Sequence, residues 1–171
     1  LLLNKDPKNT FKLASELDQY NKERQMLESD LLKKILNESK KNYNDPVLIM
    51  SGEDWHEGVI GIVAARLKDK FNKPVILISI DGDIGKASAR SIVGFDIGSV
   101  IIAASQEKLL LKGGGHKMAA GFSIKVENIL KFKDFIFRKF LDINEDLKSE
   151  KPLYFDSIIA PSAVNKDFFS K

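Results

Sequence analysis

The chain predicts an α/β protein: a mixed β-sheet flanked by helices and preceded by a long connector helix. Three observations carry this. Val47-Leu48-Ile49-Met50 and Val75-Ile76-Leu77-Ile78-Ser79-Ile80 are short apolar runs separated by one helix-length segment, the pattern of a strand–helix–strand unit with parallel strands. Asp81-Gly82-Asp83 then reverses the chain, so an antiparallel strand joins the same sheet. Before all of these, apolar residues recur at helical spacing from Thr10 to about Lys41 with no glycine or proline break.

Taken in order, residues 1–9 are a short lead containing Pro7, and Thr10 is placed to cap the long helix. Its stripe is Leu13, Leu17, Tyr20, Leu27, Leu31 and Ile35, with one hole at Arg24. That arginine either reaches past the stripe to solvent or faces a phosphate or carboxylate. The helix itself suits a connector between domains or a coiled-coil arm. Asn44-Asp45-Pro46 ends it, and residues 47–50 form the first strand. A loop over residues 51–58 leads into a helix from about Gly58 to Phe71, with Val59, Ile62, Val63 and Leu67 on one face. Gly58 and Gly61 would let this helix lie close against the sheet. The return strand after the hairpin, about Gly85 to Ser91, is slim: Gly85, Ala87, Ser88 and Ala89 leave its face open, as where a ligand lies on a sheet. Asp96 caps a short helix over about Ile97 to Ser105. Leu109-Leu110-Leu111 leads into a glycine-rich stretch, residues 122–126 alternate as a strand, and a helix follows from about Glu127 to Leu141 with Ile129, Phe132, Ile136 and Phe140 inward. Asn144 to Lys151 is a polar linker, and residues 153–159 read as a strand beginning a further element.

Composition narrows the function classes. The chain has 171 residues, 43% of them hydrophobic and 30% charged, which fits a folded globular protein. The net charge is +3, too small to establish a nucleic-acid partner. Arginine is confined to positions 24, 66, 90 and 138, so each is a better candidate for work that needs a planar fork. Cysteine is absent, which excludes disulfides, zinc–thiolate sites and thiol nucleophiles and suits a reducing, cytoplasmic setting. No apolar run has the length of a membrane span. The chain opens on Leu1-Leu2-Leu3 without methionine and stops just after an apolar pair, as a fragment of a larger protein would.

The stretch from Lys112 to Gly121 holds three consecutive glycines and one of the two histidines. Gly113, Gly114 and Gly115 read equally as a tight turn or as a loop whose free N–H groups cradle an anion. His116 could donate to a phosphate oxygen. Ser88 and Arg90, two apart on a strand, point to one face and together make a phosphate clamp, with Lys86 as a supporting cation; a solvated surface arginine is the plainer alternative. Trp55 and His56 either support the site or anchor the helix start. No Walker loop, Asp-His-His run or His-x-Asp pair occurs, so the residues point to binding chemistry without a complete catalytic or metal set.

Residues 113–121 resemble the GGGHxxAAG signature of the DHHA1 domain, the C-terminal partner of DHH-type phosphoesterases. Trp55-His56-Glu57-Gly58-Val59-Ile60-Gly61 and Lys86-Ala87-Ser88-Ala89-Arg90-Ser91 are similar to the RecJ family of single-stranded-DNA exonucleases, as is Leu17–Gln25 on the long helix. The resemblance covers about residues 10–142. It divides the chain into a connector helix (1–43), a DHHA1 substrate-binding domain (44–143), and a linker with the start of an OB-like domain (144–171). The implied activity is 5′→3′ digestion of single-stranded DNA in repair and recombination. The implied metals, Mn2+ or Mg2+, would be held by the DHH domain of the same protein and not by this stretch. The residues implied to grip DNA phosphates are Ser88, Arg90, Gly113 to His116, and Arg24 on the connector. One departure is Ala89, where the family commonly has glycine; alanine there faces away from the clamp. Two alternatives stand beside this: a DHH-family phosphodiesterase acting on short oligonucleotides or cyclic dinucleotides, and a helical interaction module without enzymatic activity.

Overall fold

The computed structural model describes residues 6–39, 44–143, 155 and 158–159. It opens with helix α1, Pro7–Glu38. The cap is Asp6 and not Thr10: the Asp6 carboxylate accepts from the Lys8 N–H at 3.1 Å, and Pro7 takes the first helical position, where its missing N–H costs nothing. The Thr10 hydroxyl instead donates to the Asp6 carbonyl at 2.9 Å. The expected end near Lys41 lies outside the described residues, as do the linker and most of the expected strand after it.

Strand β1, Leu48–Glu53, runs parallel to β2, Val75–Asp81, through helix α2, Glu57–Phe71. A two-residue turn with Gly82 at φ +56 returns the chain as β3, Ile84–Arg90, antiparallel to β2. Helix α3, Ile97–Gln106, is capped by Asp96 as expected. The glycine stretch then departs from expectation. It is an edge strand, β4, Lys112–His116, and only Lys117-Met118 forms the turn. The strand expected to begin at Phe122 begins earlier, as β5, Ala119–Lys125. A single 3₁₀ turn over Val126–Asn128 leads into α4, Ile129–Ile143. The sheet order is β1-β2-β3-β5-β4, a mixed five-stranded sheet.

Each face of the sheet has its own core. On one face Ile76, Ile78, Ala87, Ala89, Phe122 and Ile124 pack against α3 and α4, with Phe132 tilted on Phe122 at 4.8 Å between ring centroids. On the other face Leu48, Met50, Val75 and Leu77 pack against Val59, Ile60, Val63 and Leu67 of α2. Ile60 takes the buried place expected for Ile62, which is only half-buried. Leu31 and Ile35 of α1 add a layer over α2. The rest of the α1 stripe is not a core: Leu17, Tyr20 and Leu27 are exposed. The first core covers the strands on one face; on the other, α2 covers β1 and β2 and crosses the Ser88–Arg90 end of β3, which leaves β5 and β4 open.

Candidate functional site

The uncovered part of the sheet is built by register. On the α2 side, Arg90 stands opposite Ala119, and Ala119 opposite His116. Ser88 stands opposite Gly121 and Gly121 opposite Gly114; Lys86 stands opposite Ser123 and Ser123 opposite Lys112. Directly opposed residues share a face, so these nine positions form a floor of three short rows. The central row carries almost no side chain. A cleft of about 630 Å³ opens over one end of this floor, lined by Lys86, Ser88, Lys112, Gly121 and Ser123, with Glu57 and Ile60 of α2 as its wall; Arg90 and His116 lie beyond its lining.

Ser88 and Arg90 share one face, as their spacing predicts. Arg90 Nη1 donates to Ser88 Oγ at 3.1 Å and to the Ala89 carbonyl at 2.9 Å. Ala89 itself is buried in the opposite core, so its methyl group stays out of the cleft. Gly61 makes the clamp sterically feasible: a Cβ there would lie 3.0 Å from Ser88 Oγ and 3.1 Å from Arg90 Nη2. Sequence alone suggested close helix–sheet packing at Gly61 but not that the neighbour is the arginine fork. Gly58 does not share that role, since a Cβ there would meet only His56.

The glycine stretch contributes differently from a loop cradle. None of its glycines has a positive φ. Gly113 is small because a Cβ would press on Ile101 and Phe122 at 2.9 Å, and Gly115 because a Cβ would meet the Ala120 Cα at 2.5 Å. Gly114 has open space above it, on the cleft face beside Gly121. The stretch therefore supplies a flat floor and a slim edge strand, with part of its backbone already paired to β5. His116 stands exposed at the end of the row that begins with Arg90. A further small residue, Gly98, has its α-carbon against the His116 backbone, where a Cβ would approach to 2.8 Å.

Other expected residues lie elsewhere. Arg24 Nη1 pairs with Glu28 Oε2 at 3.0 Å, and its Nη2 donates to Asn21 at 2.9 Å. Glu28 is buried and also meets Arg66 of α2 at 2.5 Å, so Arg24 belongs to a charged link between the two helices. Trp55 is buried in the α2 core, and its carbonyl accepts from Ser79 Oγ. His56 caps α2, its Nδ1 accepting from the Gly58 N–H at 3.1 Å. Neither lines the cleft. Lys86 does, and Glu57 Oε1 lies 2.6 Å from its Nζ. The hydrogen bond to Glu57, and then its charge, raise the Lys86 pKa above the ordinary lysine value.

Residues 27–141 match the DHHA1 domain. The chain belongs to the DHHA1 domain family. Relatives in sequence are single-stranded-DNA-specific exonucleases named RecJ: one from Bacillus subtilis is 36% identical over 132 residues, and one from Haemophilus influenzae is 37% identical over 141 residues. These alignments cover 75% and 78% of the chain but 16% and 24% of the relatives, so the chain spans about a fifth of their length. Among solved structures, RecJ from Thermus thermophilus in complex with Mn2+ superposes with a TM-score of 0.72 at 32% identity, over 82% of this chain and 20% of that one. A manganese-bound exonuclease RecJ gives 0.69 at 31% identity, over 80% of this chain and 33% of that one. The DHHA1 match begins at Leu27, so the docked half of α1 is part of the DHHA1 unit. Among the described residues of this DHHA1 unit, no group of three or more His, Cys, Asp or Glu could hold a metal ion. The described residues thus offer no donor set for the manganese or magnesium of the solved relatives. No described helix is long and apolar enough to cross a membrane.

Proposed function

We propose that this chain is the substrate-gripping part of a RecJ-like exonuclease that degrades single-stranded DNA from the 5′ end during repair and recombination. The observation that carries the reading is the Ser88–Arg90 pair beside an open cleft whose floor has a slim central row, in a chain about 36% identical to RecJ exonucleases. A guanidinium fork beside a hydroxyl suits a phosphate oxygen pair, and contacts to phosphates give affinity and salt dependence with little sequence preference. Gly113 to His116 form the far lip of the floor, with the His116 imidazole as a further donor at the Arg90 end. Arg24 enters this reading only if a DNA strand passing α1 exchanges places with Glu28. The hydrolytic step, with its Mn2+ or Mg2+, belongs in this reading to a DHH domain of the same protein. The setting is the cytoplasm, where the DNA substrate lies.

Two measurements test this. Arg90→Ala in the full protein should weaken single-strand binding about ten- to a hundredfold, the range for a charge-assisted hydrogen bond. Wild-type affinity and turnover in that variant would remove Arg90 from the site. The 171-residue chain alone should bind short single strands weakly and digest none of them in manganese. Clear manganese-dependent digestion by the chain alone would place the chemistry here instead.

A further inference from the structure

The floor carries a second polar group that the clamp does not use. Ser123 is only 8% exposed, yet its side chain lines the cleft and has no hydrogen-bond partner among the described residues. It stands between Lys86 on β3 and Lys112 on β4, opposite both in register. Each lysine therefore lies one strand away, about 5 Å, on the same face. Among the described residues no carboxylate pairs with Lys112. Lys86 gives one of its three donors to Glu57, at 2.6 Å, and keeps two. A hydroxyl on the floor of an open cleft, with a lysine on the neighbouring strand to each side, is a site for an anionic oxygen.

This row lies roughly 10 Å along the strands from the middle of the Ser88–Arg90 pair. In the central row, Gly121 and Gly114 beside Ser88 separate Arg90 from the lysine row and carry no side chain that would block a chain crossing between them. A single sugar–phosphate step is shorter than that distance. We propose that Lys86, Ser123 and Lys112 form a second phosphate site, which holds the phosphate two steps along the strand from the one at Ser88 and Arg90. The proposal rests on the DNA-gripping reading and adds a length requirement to it. A strand must carry three successive phosphates to engage both ends of the floor. The slim glycine row then spans the intervening sugar without reading its base.

The test is a binding titration of the 171-residue chain at low salt with 5′-phosphorylated oligothymidylates of two, three and four nucleotides, each labelled at the 3′ end. Wild-type affinity should step up between the dinucleotide and the trinucleotide. Lys112→Ala and Ser123→Ala should each reduce trinucleotide binding about three- to tenfold and leave dinucleotide binding unchanged. Lys112→Ala should also flatten the salt dependence on the tetranucleotide by about 0.7 in the logarithmic slope, the share of one phosphate on a single strand. Lys112 is exposed and Ser123→Ala removes only a hydroxyl, and melting curves matching the wild type would establish that both variants fold. An unchanged step in both variants, or equal losses on both lengths, overturns the second site while Arg90→Ala still tests the first. If the wild type binds none of these oligonucleotides and Arg90→Ala changes nothing, the DNA reading and the second site fall together.

Discussion

At the scale of single residues, the clamp depends on what Gly61 lacks. Gly61→Ala places a methyl group 3.0 Å from Ser88 Oγ and 3.1 Å from Arg90 Nη2. Alanine suits a helix better than glycine, so stability should be unchanged or slightly higher while the fork is displaced. The expected result is a several-fold loss of single-strand affinity with an undiminished melting temperature. A loss of both together would mean that the residue matters for packing alone. Glu57 acts in the opposite sense. Its carboxylate occupies Lys86 and stands as a negative wall beside the proposed anion site. Glu57→Gln should tighten oligonucleotide binding at low salt and bring the Lys86 pKa back toward its ordinary value, which a lysine-resolved NMR titration can follow. The sign follows from the raised pKa: the Lys86–Glu57 attraction is complete below the ordinary lysine value and is lost as alkaline pH passes through the higher folded value. Ser88 and Arg90 were legible from the sequence because their pairing depends only on the two-residue period of a strand. Ser123 and Lys112 were not, because their neighbourhood is set by cross-strand register, which no local spacing records.

At the scale of elements, the glycine stretch shows how composition misleads. Three glycines in a row suggest a loop, yet β4 uses their smallness to lie flat between β5 and α3. The competing signal was present in Ala119-Ala120-Gly121, small enough to pair closely with it, but strand propensity is poor on both sides and only tertiary packing decides. α3 fixes the outer end. The Ile97 N–H donates to the Lys117 carbonyl at 3.2 Å, and Gly98 lies on the His116 backbone. Gly98→Ala should therefore cost about 1–3 kcal/mol through overpacking and shift the His116 resonances, readable by denaturant unfolding and NMR. Asp96 holds the same corner. Its carboxylate accepts from the Ser99 N–H at 3.0 Å, and that bond holds its pKa below the ordinary aspartate value. A lowered pKa stabilises above the ordinary value and is lost as pH falls through the folded one. Asp96→Asn should thus reduce the acid sensitivity of the fold below a pH of about 4, seen as melting temperatures that converge with the wild type on acidification.

The whole molecule divides α1 in two. The helix was legible in its periodicity, though its Asp6 cap was not, and neither was which part is buried, because a stripe says only that a partner is possible. Leu31 and Ile35 are sealed against α2, whereas Tyr20 and Leu17 are exposed. Ile35→Ala should cost about 2–4 kcal/mol on chemical unfolding. Removing residues 1–20, which leaves the Arg24–Glu28–Arg66 link in place, should change stability by less than about 1 kcal/mol, as for surface changes away from the core. A large loss on that deletion would show that the free half of α1 is bound to the rest of the molecule.

The strand order also sets a sequence of events in time. β2 and β3 meet across a two-residue turn, but β3 and β5 are neighbours with α3 and β4 between them in the chain. Joining β5 to β3 closes a longer loop and costs more entropy, so the floor of the cleft forms after the hairpin against which it is laid. Since β4 hangs on β5 at the sheet edge, its amides should exchange with solvent well before those of β2, which is buried on both faces. Slower exchange in β4 than in β2 would contradict that order. The surface proposed to hold DNA is then the part of the sheet most able to loosen without unfolding the rest.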